Sequence, residues 1–384
     1  MRKVPELRFA GFDGEWEEGT LSDLGSVSMN KRIYKDETSE IGDVPFYKIG
    51  TFGSKADSYI SRDLFEEYKS KYPYPKVGDL LISASGSIGK VIEYKGEDAY
   101  YQDSNIVWLD VNDKVKNSFL KQFYETVNWN ELEGSTIKRL YNKDLLRKKI
   151  AYPKLSEQEK IGDLFKKIDD LIEIQEGKLS RMEDFKKSML QKMFPKKDEL
   201  VPEFRFDGFY GEWSPMFLKD LVYSEYKGKA MADKLILGGS TEYLDTERLN
   251  GGAPVLVDND PDTNFDDILI LWDGSKAGAI YTKFEGILGS TLRGFKINDD
   301  NDSYFIYSFL KMNENLIENR YRTPNIPHVV KDFSKVFEIK VTSFKEQQKI
   351  GHFFKTLDTQ IENEEKLLDS YKIMKKSLLQ KMFV

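Results

Sequence analysis

Cysteine is missing from all 384 residues, which excludes disulfide scaffolds, thiolate zinc sites and cysteine nucleophiles in one step. Histidine occurs twice, at His328 and His352, so a histidine-built metal centre could draw on two such ligands at most. Apolar runs stop at about five residues, as in Asp79-Leu-Leu-Ile-Ser83 and Ile268-Leu-Ile-Leu-Trp272, well short of the ~20 that a membrane helix needs. Met1-Arg-Lys-Val-Pro-Glu6 is followed by no apolar stretch of the kind found in a secretory leader, and a cytoplasmic location is the expectation. Positive charge is not in excess, with 58 Lys and Arg against 65 Asp and Glu. The formal net charge of −7 argues against a histone-like binder, although it leaves room for locally basic surfaces. What is present is globular: 40% hydrophobic and 32% charged residues supply more than one core.

The chain repeats itself. Val4-Pro-Glu-Leu-Arg-Phe9 with Gly14-Glu-Trp16 returns as Val201-Pro-Glu-Phe-Arg-Phe206 with Gly211-Glu-Trp213, displaced by 197 positions. Glu157-Gln-Glu-Lys-Ile-Gly162 returns as Glu346-Gln-Gln-Lys-Ile-Gly351, and Ser188-Met-Leu-Gln-Lys-Met-Phe194 as Ser377-Leu-Leu-Gln-Lys-Met-Phe383, both displaced by 189. Between these matching ends the two halves look unlike each other. A solenoid would need shorter and more numerous units; one scaffold carrying two different heads fits better.

The terminal forty residues of each half read as long helices. Ile161, Phe165, Ile168, Ile172, Gln175, Leu179 and Met182 alternate by four and three, with Phe185, Met189 and Met193 continuing after a slip. Ile350, Phe354, Leu357, Ile361, Glu364, Leu368, Tyr371, Met374, Leu378 and Met382 take the same places in the second. Such a seam suits a coiled coil, with Gln175 and Glu364 as polar register residues. Ser156 with Glu159, and Ser343 with Glu346, suggest capping boxes, and Pro195 should stop the first helix. Forty helical residues span roughly 60 Å at ~1.5 Å per residue, enough for a rigid spacer. An antiparallel pair would relate the halves by a pseudo-twofold axis. The expected class is α+β: two mixed α/β heads separated by two long antiparallel helices. The segments are 1–153 for the first head with its lead-in, 154–194 for the first helix, 195–342 for the linker and second head, and 343–384 for the second helix.

In each head a strand, a Gly-Ser turn and a second strand are expected over Asp79–Ile92 and Asp267–Ile280. Late in the first head, Gly134–Lys154 carries seven basic residues against one acid, Asp144; in the second, Asn319–Lys331 has three basic side chains, His328 and no carboxylate. These strips could hold phosphates and base edges, or could simply be solvated faces. Lys138, Arg139, Asn142 and Lys143 in the first head, and Arg320, Arg322, Asn325 and Lys331 in the second, are the candidate DNA contacts. Turn residues Ser85, Ser87, Lys90, Ser275 and Lys276 form a second tier.

Catalytic signatures fail. Gly86-Ser-Ile-Gly-Lys-Val91 is too short for a phosphate loop and has valine where Ser or Thr would bind magnesium. Base-amino methyltransferase, nucleophile-elbow, zincin and Rossmann motifs are all missing. Glu338-Ile-Lys340 matches the tail of a nuclease motif, yet Pro261-Asp262 is ~76 residues upstream. A stand-alone nucleic-acid-cleaving enzyme using Glu338 and Lys340 or His328 is the rival reading; a bivalent protein adaptor is another.

The divergent heads, the helix starts Pro153-Lys-Leu-Ser-Glu-Gln158 and Ser343-Phe-Lys-Glu-Gln347, and the Gln-Lys-Met-Phe endings resemble the specificity subunit of type I restriction-modification enzymes. The duplicated Val-Pro-Glu-x-Arg-Phe lead-ins are similar to staphylococcal-type members. At the second junction Val341-Thr-Ser stands where the family has proline. The resemblance implies that each head reads one half of a split double-stranded DNA target. It implies that the helices fix the gap and dock two modification (adenine methyltransferase) subunits, with motor-nuclease subunits joining for cleavage. It further implies a non-catalytic subunit that holds no cofactor of its own.

Overall fold

The computed structural model describes residues 4–129, 139–323 and 327–384. These fall into two compact units, one of residues 4–175 with 367–384, the other of residues 176–366. Each long helix, Leu155–Met193 and Phe344–Met382, gives its first turns to one unit and its last turns to the other.

The first unit contains a four-stranded antiparallel sheet in the order Gly25–Ser28, Ile106–Val111, Leu80–Ser83, Val91–Glu93. A smaller sheet sets Val44–Tyr47 between Tyr59–Ile60 and, in parallel, Tyr100–Tyr101. Glu17–Thr20 pairs with Lys149–Tyr152 to close the head at its junction with the helix. The second unit repeats this plan. Its sheets run Val222–Lys227, Leu292–Ile297, Ile268–Leu271, Ile280–Tyr281, and Leu256–Val257, Leu237–Leu244, Ile287–Leu288, with Ser214–Phe217 closing on Glu338–Val341. Strand Leu80–Ser83 and its counterpart Ile268–Leu271 are buried at every residue, as central strands covered on both faces must be. A helix, Asn117–Thr126 or Ser303–Met312, backs each large sheet.

The repeated motifs are explained inside each unit. Glu157 is 2% exposed and takes a bidentate ion pair from Arg8, at 2.7 Å to each oxygen; Glu346, fully buried, takes the same pair from Arg205 at 2.7 and 2.8 Å. The next residue caps a head helix: Gln158 Oε1 accepts from the Lys116 N–H at 2.8 Å, and Gln347 Oε1 from the Asp302 N–H at 3.1 Å. Glycine follows because the helices touch here. A Cβ on Gly162 would lie 2.4 Å from Ser118 Oγ, and one on Gly351 2.0 Å from Asp302 Oδ1. The capping boxes expected from the sequence are not what forms. Ser156 lies inside its helix, and the Glu346 carboxylate is engaged by Arg205 and Thr342.

The helix ends are equally duplicated. In the first unit Phe383 meets Trp16 at 6.2 Å and Leu7 N–H donates to Lys381 O at 2.9 Å; in the second Phe194 meets Trp213 at 5.9 Å and Phe204 N–H donates to Lys192 O at 2.8 Å. The lead-in motif thereby satisfies a carbonyl that the last helical turn leaves open. Ascending Phe165 to Asp169 meets descending Phe383 to Lys375, so the helical segments of this unit run antiparallel. Phe194 beside Phe354 and Lys186 beside Asp358 show the same sense in the second unit. Burial alone disfavours the Lys375 ammonium, but hydrogen bonds to Asp169 and Glu125 outweigh it and raise its pKa.

The seam holds at Ile161, Phe165, Ile168 and Gln175, and at Ile350, Phe354, Leu357 and Ile361, all buried. It then slips at matching places. Phe185 is 48% and Met374 41% exposed, while Leu190 and Leu379 turn inward.

Candidate nucleic-acid interface

Three loops meet in each head, and the backbone N–H and C=O of one residue tie them together. In the first head the Ala84 N–H donates to Asn105 O at 2.7 Å, and Ala84 O accepts from the Leu140 N–H at 2.8 Å. In the second, the Trp272 N–H donates to Thr291 O at 2.8 Å, and Trp272 O accepts from the Val329 N–H at 2.9 Å. The turn after the buried strand, the tip before the long neighbouring strand and the late basic segment therefore converge. Glycine makes the turn possible. Gly89 and Gly278 have φ of +83° and +104°, where a side chain is strained, and their N–H groups donate back to Ser83 O and Leu271 O.

Several of the sequence candidates are brought together here. Ser85 Oγ lies 2.9 Å from Asn105 Oδ1, and Arg139 donates to Ser104 O at 2.9 Å. Arg322 donates to Ser275 O at 2.9 Å and lies 3.4 Å from Glu318, locking the late loop onto the turn. Each guanidinium has five donors, so these contacts orient it and leave others for a phosphate or a base edge. Ser87, Ser275 and Lys276 are exposed on the turns. Asn142 and Lys143 are exposed on the short helix Asn142–Leu146, with the Lys143 ammonium 5.9 Å from the Tyr141 ring. Arg320 and Lys331 are exposed at the two ends of the second head's late loop. Lys90 is exposed, and its ammonium donates to Phe52 O at 2.6 Å. Lys138 and Asn325 lie outside the described residues.

Sequence reasoning missed the tip loops. Asp103-Ser-Asn105 and Gly289-Ser-Thr291 are short polar interruptions between apolar runs, the ordinary signal of a turn. Ser104 adopts φ +53°, rare for a residue with a side chain, and Asp103 holds Arg32 at 3.0 Å. Basic charge drew attention to the late strips and away from these.

Two of the residues of the rival hydrolytic reading, Lys340 and His328, are otherwise engaged. Lys340 Nζ donates to the carbonyls of Lys196, Lys197 and Glu199 at 2.5–2.6 Å, using all three of its protons. His328 Nδ1 is 3.1 Å from Thr323 Oγ1 and its backbone pairs with Asp273. Among the described residues no group of three or more His, Asp or Glu side chains could hold a metal ion, and no helix is long and apolar enough to cross a membrane.

Two heads of one topology, each presenting a three-loop platform and each joined to a long helix, define a duplicated two-head architecture. Residues 13–184 and 210–370 match the family described as the type I restriction modification DNA specificity domain, and the chain belongs to that family. A putative type I restriction enzyme specificity subunit from Haemophilus influenzae is 54% identical over 153 residues, which cover 39% of this chain and 40% of that protein. A putative specificity subunit from Methanocaldococcus jannaschii is 25% identical over 413 aligned positions, covering 95% of this chain and 92% of its own length. The fold is shared with the S subunit of a type I restriction-modification system from M. genitalium, with a TM-score of 0.74, 19% identity and 99% of both chains covered.

Proposed function

We propose that this chain is the sequence-specific DNA-binding subunit of a type I restriction-modification complex, each head reading one half of a bipartite duplex target. The observation that carries this reading is the backbone platform shared by the two heads with unlike side chains: Ala84, Ser85, Asn105 and Arg139 in one head, Trp272, Asp273, Thr291 and Arg322 in the other. A fixed scaffold with exchangeable contacts is what reading two different half-sites requires. Segments 1–153 and 195–342 act as readers, and 154–194 and 343–384 as the spacer that sets the gap, which for two sites on one duplex face should follow the helical repeat.

The chain acts without catalysis of its own, in the cytoplasm, through two modification (adenine methyltransferase) subunits and, for cleavage, motor-nuclease subunits. Support for two copies of one partner comes from matching, partly exposed apolar positions at the helix slips. In the second unit a groove of about 860 Å³ is lined by Phe185, Phe206, Phe209 and Phe353, with Lys349 5.2 Å from the Phe209 ring. The first unit places Met374, Phe9, Phe12 and Leu164 at the corresponding positions, with Lys160 5.1 Å from the Phe12 ring.

The test is to co-express the chain with its modification partner in methylation-free cells and map modified adenines across the genome. One split motif with a constant gap is expected. A contiguous motif, or DNA cleavage by the lone chain with Mg²⁺, would overturn the reading.

A further inference from the structure

The second head contains a partly buried charged device at its hub that the first head lacks. Strand register places Arg293 opposite Ile270, just as Val107 stands opposite Ile82. Where the first head has Ala84 and Val107, both almost fully buried, the second has Trp272 and Arg293. The Arg293 guanidinium lies 3.8 Å from the Trp272 ring centroid, a stacking distance. It donates to Glu225 Oε1 at 2.7 Å, and Glu225 Oε2 accepts from Ser334 Oγ at 2.8 Å. Arg293 Nε is buried with no hydrogen-bond partner, so the cation is held in place at a cost that a purely packing residue would avoid.

The ring continues into the late loop. Trp272 packs edge-on against Phe333 at 6.3 Å, and Phe333 against Tyr321 at 5.6 Å. The Trp272 peptide meanwhile binds the tip and late loops, and Gly274 N–H donates to Pro327 O at 2.9 Å. The ring of Trp272 thus packs toward the late loop while its backbone joins the tip and late loops, so the stack sits at the point where the three loops meet.

We propose that Arg293, stacked on Trp272 and anchored by Glu225, is a positioning residue that sets the base preference of the second head without touching DNA. This rests on the DNA-reading function proposed above. In the first head Ala84 and Val107 offer no such stack, and the loops are joined by backbone hydrogen bonds together with the Ser85–Asn105 and Arg139–Ser104 contacts, so the stacked device is specific to one half-site.

The test uses the full chain in complex with its modification subunits, acting on a library of bipartite targets randomised in one half-site at a time. Arg293→Met should lower discrimination at the second half-site by about tenfold per affected base pair, the scale of one good base contact, and leave the first half-site unchanged. Arg293→Lys keeps the charge over the ring and should restore part of the preference; Glu225→Gln, which weakens only the anchor, should shift it less. The untouched first half-site reports folding and assembly within the same molecule. Unchanged preference at the second half-site in both Arg293→Met and Glu225→Gln would overturn the proposal, as would equal loss at both half-sites in Glu225→Gln. A wild-type complex that selects no split target would instead remove the function on which the proposal rests.

Discussion

The two heads share strand order, sheet pairing and hub hydrogen bonds, yet they differ at the residues placed on that frame. Ala84 becomes Trp272, Val107 becomes Arg293, and the late segment is tied through Arg139 to a tip-loop carbonyl in one head and through Arg322 to a turn carbonyl in the other. The frame is held by groups that do not depend on side-chain identity: peptide N–H and C=O pairs, left-handed glycines and a buried strand. The contact surface is then free to vary. At the junctions the relation is reversed, because there the side chains themselves are duplicated, Arg8–Glu157 with Arg205–Glu346 and Gln158 with Gln347.

That contrast can be broken experimentally, beginning with the junctions. Glu346→Ala and Glu157→Ala each leave a partly buried arginine without its carboxylate. Each should cost roughly 2–3 kcal/mol, below the range for breaking a fully buried ion pair because water still reaches the guanidinium. Chemical denaturation monitored separately for the two units would check this, and a large loss for one variant with none for the other would end the claim of equivalent clasps. Gly351→Ala and Gly162→Ala should follow at about 1–3 kcal/mol, since a methyl group must displace Asp302 or Ser118.

The smallest effect concerns the helix caps, where the units differ. Asp302 accepts from the Phe305 N–H at 2.8 Å, while Lys116 at the matching position offers no side-chain cap. Burial pushes the Asp302 carboxyl above the usual carboxylate range, with hydrogen bonds from Phe305 and Tyr304 opposing the shift. A folded-state pKa above the unfolded one means the charge lowers stability at neutral pH, a loss that is relieved as pH falls through the raised value. Asp302→Asn keeps the cap, so its thermal midpoint should equal or slightly exceed the wild type at pH 7, with any advantage vanishing in acid. Lys116→Asp should add a cap worth about 1 kcal/mol.

The sequence made the repeat, the long helices and the class legible because their signals are local and strong: seven-residue spacing and near-identical motifs. The helix starts were harder. Serine beside glutamate suggested a capping box, but Glu346 is committed to Arg205, a partner 141 positions away. The slip at Phe185 and Met374 was half visible, since only packing decides which side of a helix stays wet. The common plan of the heads could not be read, because strands of two to six residues with interchangeable apolar side chains carry little pattern. At the platform, charge pointed to the late strips, where the structure sets Arg139 and Arg322 against tip and turn carbonyls, and to Lys90, set against Phe52 O. It passed over Ser104, Asn105 and Thr291, whose part is played by backbone carbonyls.

The most direct measurement is competition binding by the assembled complex, using wild type, Arg139→Ala and Arg322→Ala against duplexes altered in either half of the mapped target. The account predicts that each substitution costs roughly 1–3 kcal/mol and blunts discrimination only in its own half-site, leaving the other intact. Loss of discrimination spread equally over both halves by either substitution would contradict it.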